Sequence, residues 1–458
     1  MIAERLSRKT KFLYGSGDVG FSLTSTIIGA FLAIFLTDVV GLSPGAAGIA
    51  IFVGGTWDWI NDPIMGYISD RTRTRWGRRR PYLLFGPLPF ALAFTMLWWR
   101  PPLEQELYLA VYYAVAYILF DASATLIYMP YFALTPELTS DYDERTSLTS
   151  YRMFFSILGS LLAFTIPWLI VDSFRPENAP RVLAMGAIFA IISALPMLLV
   201  FFGTREREEY MQQERPALLQ SLRVALKNKP FVFGLLIFLM TWIATVILQD
   251  NLAYFIKHVV RREAESELIM GTVFVTAIIA LPFWNWLSHR TSKRWAYIGG
   301  IAFWAVVQIV LVTVTAQTGL ALILFLCFLA GIGVAAAHVL PWAIIPDSIE
   351  WGEWQTGERH EGVFYSLVTL LRKVATSIAI PATLWLLHFT GYDGLAEQQP
   401  ASAVMGLRVV IGPVPAVLLC LGIVFAYFYP LTRAKYAEIV RELERRRAAV
   451  DPVGEEAR

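Results

Sequence analysis

The chain has 458 residues, of which 56% are hydrophobic and only 16% charged, and its mean hydropathy is +0.55; it is too apolar to be a soluble globular protein. Its net charge of +2 says little, so the placement of charge along the chain carries the information. Cys327 and Cys420 both lie inside apolar runs, which gives no disulfide framework and no cysteine metal site.

At the N-terminus, Arg5, Arg8, Lys9 and Lys11 precede an apolar run that could pass for a secretory signal. The run is too long for one, carries Asp18 and lacks a small-residue cleavage site, so it reads as a first membrane span. Gly15, Gly17 and Gly20 match a dinucleotide-binding pattern, but no strand precedes them. Windows of about 20 apolar residues predict twelve spans. They lie near 14–38, 46–68, 81–99, 106–131, 150–171, 181–202, 231–256, 267–287, 295–315, 319–343, 362–388 and 405–429. The longest internal polar break, 203–230, divides them six plus six. The expected organisation is therefore an all-helical membrane protein with a first six-helix bundle over 1–202, a central linker, a second bundle over 231–429 and a tail over 430–458.

An even number of spans puts both ends on one side. The N-terminus, alternate loops, linker and tail hold 28 of the 38 Lys and Arg, so that side is cytoplasmic. The expected location is the plasma membrane, in a bacterium the inner membrane, with the lipid bilayer as surroundings. Residues 431–449 predict an amphipathic tail helix with Tyr436, Ile439, Val440 and Leu443 on one stripe, lying on the protein or the headgroups.

Span two holds the most informative stretch, Trp57-Asp58-Trp59-Ile60-Asn61-Asp62-Pro63. An ionised side chain near the bilayer centre costs roughly 2.5–3.5 kcal/mol on insertion scales, so such residues face a cavity or a partner and mark an ion or solute path. Asp58 and Asp62, four residues apart, share a helix face. Such a pair can hold a small hard cation or share a proton, and either chemistry points to coupled transport. Lys373 falls near the middle of span eleven, where an unpaired ammonium is costly, and the two aspartates are its natural partners. The five histidines are scattered without ligand spacing, and no nucleotide loop, nucleophile elbow or metal-hydrolase motif is present, so the chain does not read as an enzyme; no cofactor is expected. Basic and aromatic residues cluster at Arg71–Tyr82, but a membrane loop is a poor nucleic-acid platform.

The loop from Gly66 to Pro81 carries Asp70, Arg71, Arg73, Arg75, Arg78, Arg79 and Arg80. It resembles the signature between helices two and three of the major facilitator superfamily. In that reading Gly66 permits close helix approach, and Asp70, Arg71 and Arg78 make gating contacts that break during turnover. The resemblance sharpens to the glycoside-pentoside-hexuronide cation symporters, the melibiose permease-like branch. It rests on Tyr14-Gly15-Ser16-Gly17, Thr37 to Ser43, Trp57-Asp58 with Ile60 to Gly66, Pro130 to Leu134, Tyr151-Arg152, Asp347 to Gly352, and Tyr365-Ser366 through Lys373.

That resemblance implies a major facilitator fold and symport of a solute with a monovalent cation, Na+ or H+. It places the cation at Asp58, Asp62 and the helix-four ligand Thr125, with Lys373 beside the site. The chain departs from the sugar-binding pattern: Ser22 and Tyr128 stand where the branch has aspartates, Gly55 where it has an arginine, and Phe132 at the aromatic sugar contact. Asp18, Asp121, Tyr128, Phe132, Arg152 and Arg372 are the expected solute contacts, with Asp18 and Asp121 as further cation ligands; Gln249, Asp250 and Asn251 add polar groups on span seven. Asp347, Glu350, Glu353 and Glu361 are expected in the loop between spans ten and eleven. The solute is expected to be a sugar or glycoside, with a lysophospholipid or other amphiphile as the alternative; a non-transporting sensor or scaffold would keep the same fold. The unit of function is expected to be the monomer.

Overall fold

A computed structural model describes residues 6–139, 142–205, 225–357, 361–396 and 398–450; most of the expected linker lies outside them. The first bundle comprises α1 (Arg8–Ile34), α2 (Pro44–Arg71), α3 (Arg80–Phe85), α4 (Pro87–Leu97), α5 (Glu106–Leu138), α6 (Tyr142–Val171) and α7 (Ala179–Gly203). The second comprises α8 (Lys229–Tyr254), α9 (Ser266–Arg290), α10 (Lys293–Leu311), α11 (Leu320–Thr356), α12 (Glu361–Phe389), α13 (Ala401–Ile411) and α14 (Pro413–Tyr427), followed by a tail helix, α15 (Arg433–Val450). Among the described residues ten helical segments are long and apolar enough to cross a bilayer. The other two crossings are α2, which carries the two aspartates, and the α3–α4 pair. Backbone polar groups must be satisfied inside each segment when lipid surrounds it, which is why the crossings are helical. Leu169, Phe202 and Ile279 are 70% or more exposed, as befits side chains facing lipid.

Local sequence sets the ends and breaks. The side chains of Ser7, Ser43, Asn228 and Ser292 cap the starts of α1, α2, α8 and α10 by accepting backbone N–H bonds. Spans three and twelve each break at a Gly-Pro-x-Pro sequence, Gly86 to Pro89 and Gly412 to Pro415, where proline removes an N–H donor. The halves also share an ending. α1 and α8 each run into a π-helical turn, Phe35–Val40 and Phe255–Val260, with Phe, three residues, then Val-Val. Each turn stops at a residue with positive φ, Gly41 at 91° and Arg261 at 56°. Asp38 of the first half thus occupies the position of His258 in the second.

Two expectations change. Helix α11 continues to Thr356, so Asp347, Glu350 and Glu353 sit in its last turns rather than in a loop, and Lys293 Nζ binds Asp347 Oδ1 at 2.5 Å. Close packing of α2 falls not at Gly66, where an added Cβ would lie 3.8 Å from Met129 Cε, but at Gly54, where it would lie 2.5 Å from the Tyr117 ring. The tail helix rests on the protein: Arg446 Nη1 donates to the Trp354 carbonyl at 3.1 Å, Lys435 lies 4.7 Å from the Trp351 ring centre, and Ile439 and Leu443 are buried.

The bundles meet through α1 with α8, α2 with α12 and α6 with α9. Several close contacts lie on the far side, the side opposite the chain ends. There the Phe164 and Phe274 rings stack at 3.6 Å, Trp168 Nε1 donates to Met270 Sδ at 3.0 Å, and Gly48 abuts the Trp385 ring. Between membrane helices such packing, not hydrophobic burial, drives association. Gly54→Ala should therefore lower the thermal midpoint in detergent, by an overpacking cost of about 1–3 kcal/mol. Gly66→Ala should leave it unchanged or raise it slightly, because Ala is the better helix former.

Candidate functional site

The centre of the molecule is an ion cluster built from both bundles. Lys373 on α12 donates to Asp58 Oδ1 and to Asp62 Oδ2, each at 2.6 Å. The helical repeat puts both aspartates on the face of α2 that meets α12. From α5, Thr125 Oγ1 donates to Asp62 Oδ1 at 3.4 Å. Asn61, between the two aspartates, turns to α5 and donates to the backbone carbonyl of Asp121 at 3.3 Å and to its Oδ2 at 3.4 Å. Arg372 precedes Lys373 with its guanidinium 4.9 Å from the Trp242 ring centre, and Trp242 Nε1 donates to Thr376 Oγ1 at 3.0 Å.

Asp58, Asp62 and Lys373 side chains are each 22% exposed, so the cluster is reached by solvent and is not a sealed core pair. Opposite charges about 4 Å apart attract by about 4 kcal/mol at an effective dielectric of 20. Oxygen ligands are what a small hard cation takes, and the Asp58 and Asp62 oxygens around the ammonium, with the Thr125 hydroxyl on the other oxygen of Asp62, are of that kind. Lys373 is an internal counter-charge to the two aspartates, supplied by the other bundle. Occupancy of the aspartates and contact between the bundles are thereby tied together.

The remaining expected contacts form a second group inside the first bundle. Arg152 Nε donates to Asp18 Oδ2 at 2.6 Å, and its Nη1 to Thr135 Oγ1 at 3.4 Å. The guanidinium lies 4.8 Å from the Phe132 ring centre and 5.4 Å from that of Tyr131. Asp18 is 2% exposed and paired with Arg152, so the structure groups it with α6 and not with Asp58 and Asp62. Ser22 Oγ bonds back to the Asp18 carbonyl at 2.8 Å. Tyr128 is 4% exposed and packs edge-on to Phe21 and Phe90. Of the expected gating residues, Arg71 is exposed at the end of α2 and Arg78 is buried, while the side chain of Asp70 lies outside the described residues.

A third cluster was missed because its members read as a motif end and as loop charge. Asp38, fully buried, accepts from Lys257 Nζ at 2.5 Å and from the Tyr392 hydroxyl at 2.8 Å, with His258 Nε2 at 3.2 Å. Thr37 donates to Asp38 Oδ1 at 2.7 Å and shares a 2.9 Å hydrogen bond with the Tyr254 hydroxyl; Lys257 also donates to the Phe174 carbonyl at 2.7 Å. Asp38, Thr37 and Phe174 belong to the first half, and Tyr254, Lys257, His258 and Tyr392 to the second, so this network fastens the bundles on the far side. The shared π-turn could have flagged it, since it sets an aspartate in one half opposite Lys-His in the other.

Two bundles, a charged centre shared between them and closure on one side define a secondary transporter, and comparison with known proteins identifies it as a cation-coupled symporter, not an enzyme. A family model described as MFS/sugar transport protein matches residues 13–433, and the chain belongs to that family. It is 33% identical to an uncharacterized symporter of Synechocystis sp., over 97% of this chain and 98% of that protein. It is 30% identical to sodium-dependent lysophosphatidylcholine symporter 1-A of Danio rerio, over 92% and 85%. Among solved structures, the xylose transporter XylE from E. coli in an inward open conformation aligns with a TM-score of 0.65 at 15% identity, over 94% of this chain and 98% of that one, a likeness of fold.

Two predictions follow from the ion clusters. Lys373→Ala leaves two carboxylates without their counter-charge, at a cost of up to about 3–5 kcal/mol. Thermal unfolding in choline chloride should show the loss, and a coupling cation should restore more stability to the variant than to the parent. Asp38→Asn strips the charge that holds Lys257; labelling of a cysteine introduced on the far side should rise severalfold as the bundles part there.

Proposed function

We propose that the chain is a sodium-driven importer of an amphiphile of the lysophospholipid class, working as a monomer in a bacterial inner membrane with both termini in the cytoplasm. The observation that carries this reading is Lys373 bridging Asp58 and Asp62 at 2.6 Å across the two bundles. A sodium ion that takes those carboxylates releases the ammonium beside Arg372. Two cationic donors then stand together, a pair suited to a phosphate group. The Trp242 and Phe132 rings supply apolar surface near the charged groups.

A sugar has less to hold it. Asp18 and Arg152 are engaged with each other, Tyr128 is enclosed by aromatic rings, and Ser22 and Gly55 offer no carboxylate or guanidinium. Named sodium-dependent lysophosphatidylcholine symporters align over most of this chain, which supports both the ion and the solute class. The excess of Lys and Arg in the loops on the side of the chain ends supports the orientation. Far-side closure then corresponds to a state that loads or unloads on the cytoplasmic side. By linkage, solute must tighten sodium binding by the factor that sodium tightens solute.

The family description names sugar transport, which keeps a glycoside as the second reading. Purified protein in liposomes should be tested against lysophosphatidylcholine, melibiose and a xyloside, in sodium and in choline. Lysophosphatidylcholine should bind at least about tenfold more tightly in sodium, a coupling of about 1.4 kcal/mol, and Arg372→Ala should weaken it. Sodium-dependent binding of a sugar without lysolipid binding would overturn the solute assignment and leave the symporter intact.

A further inference from the structure

Asp250 lies one turn before the end of α8, 2% exposed, and neither carboxylate oxygen has a hydrogen-bond partner among the described residues. It looks toward the other bundle: Oδ1 is 3.5 Å from where a Cβ would begin at Gly29 of α1, with the Gln249 amide beside it. Several charged groups on the elements packed around α8 have partners of their own. On α1 and its π-turn, Asp18 is paired with Arg152, and Asp38 with Lys257 and His258. On α11, His338 Nδ1 lies 3.0 Å from the Val334 carbonyl and Asp347 is bound by Lys293. On α12, Lys373 holds Asp58 and Asp62 while Arg372 stacks on Trp242. On α13, Arg408 donates to the Val312 carbonyl, and α14 carries no acidic or basic side chain. Two phenols lie within electrostatic reach of Asp250, Tyr117 of α5 and Tyr254 one turn along α8.

An ionised carboxylate that is 2% exposed and has no hydrogen-bond donor among the described residues is a costly arrangement in a medium of low dielectric. A proton removes the charge. Separation of α1 from α8, which a far-side-open state requires, would bring water to the carboxylate and let it ionise. We propose that Asp250 is a proton-binding site, separate from Asp58 and Asp62, and that proton uptake there accompanies closure of the bundles on the far side. Because the closed state binds the extra proton, falling pH favours closure, by up to about tenfold per pH unit in the closed-to-open ratio. This adds a second input to the transport cycle and does not depend on which solute or cation the central site takes.

The test uses the full chain in choline medium without sodium, with spin labels at Glu177→Cys and Gln317→Cys, exposed far-side loop positions on the two bundles, in a Cys327→Ala, Cys420→Ser background. Between pH 8.5 and 5.5 the unaltered site should shift the population toward the short distance. Asp250→Asn should give the short distance throughout. Asp250→Glu, which retains an acid, should keep the response with a moved midpoint and serves if the asparagine variant does not fold. A parental pH response in Asp250→Asn, no response in the parent or an unmoved midpoint in Asp250→Glu would each overturn the proposal. So would sodium at fixed pH reproducing the Asp250-dependent shift.

Discussion

Two carboxylates on one face of a membrane helix need positive charge between them, and here it is delivered by a lysine on the opposite bundle. Asp58 and Asp62 belong to α2 and Lys373 to α12, so the same hydrogen bonds neutralise the site and join the halves. Most of the molecule's organisation serves that contact. α2 must approach α5 closely enough at Gly54 for Thr125 and Asn61 to reach their partners, and α12 must run beside α2 along its length. Any group that competed with Lys373 for the aspartates would loosen a bond between the bundles.

The far side is held differently. Asp38 is fully buried and receives donors from a lysine and a tyrosine, while the central aspartates are partly open to solvent. A buried charge pair with its hydrogen bonds satisfied is stable as long as it stays dry, and breaking it one partner at a time is expensive. Such a network favours two discrete arrangements, joined or fully parted and hydrated, over partial opening. The matching π-turns that end α1 and α8 present these groups from equivalent places in the two halves.

The polar groups of the first bundle fall into separate sets. Asp62 and Thr125 meet at the ion cluster, while Ser22, Gly55 and Tyr128 present no carboxylate or guanidinium at their positions. Arg152 and Asp18 satisfy each other, and aromatic rings occupy the space beside them.

By itself the sequence determined the class and the spans, because a bilayer demands long apolar helices and penalises every charge placed within them. That penalty made Asp58, Asp62 and Lys373 legible as partners, although 311 residues separate Asp62 from Lys373. Helix ends beyond the bilayer were not legible, since hydropathy ceases to report there: α11 continues through Asp347 and Glu353 to Thr356. Nor could spacing along one helix decide which of several polar residues meet. Asp18 and Arg152 found each other because α1 packs on α6, and Asp38 found Lys257 because the halves close on the far side. Charge in a membrane announces that it needs a partner; only the packing of helices distant in sequence decides which partner it gets.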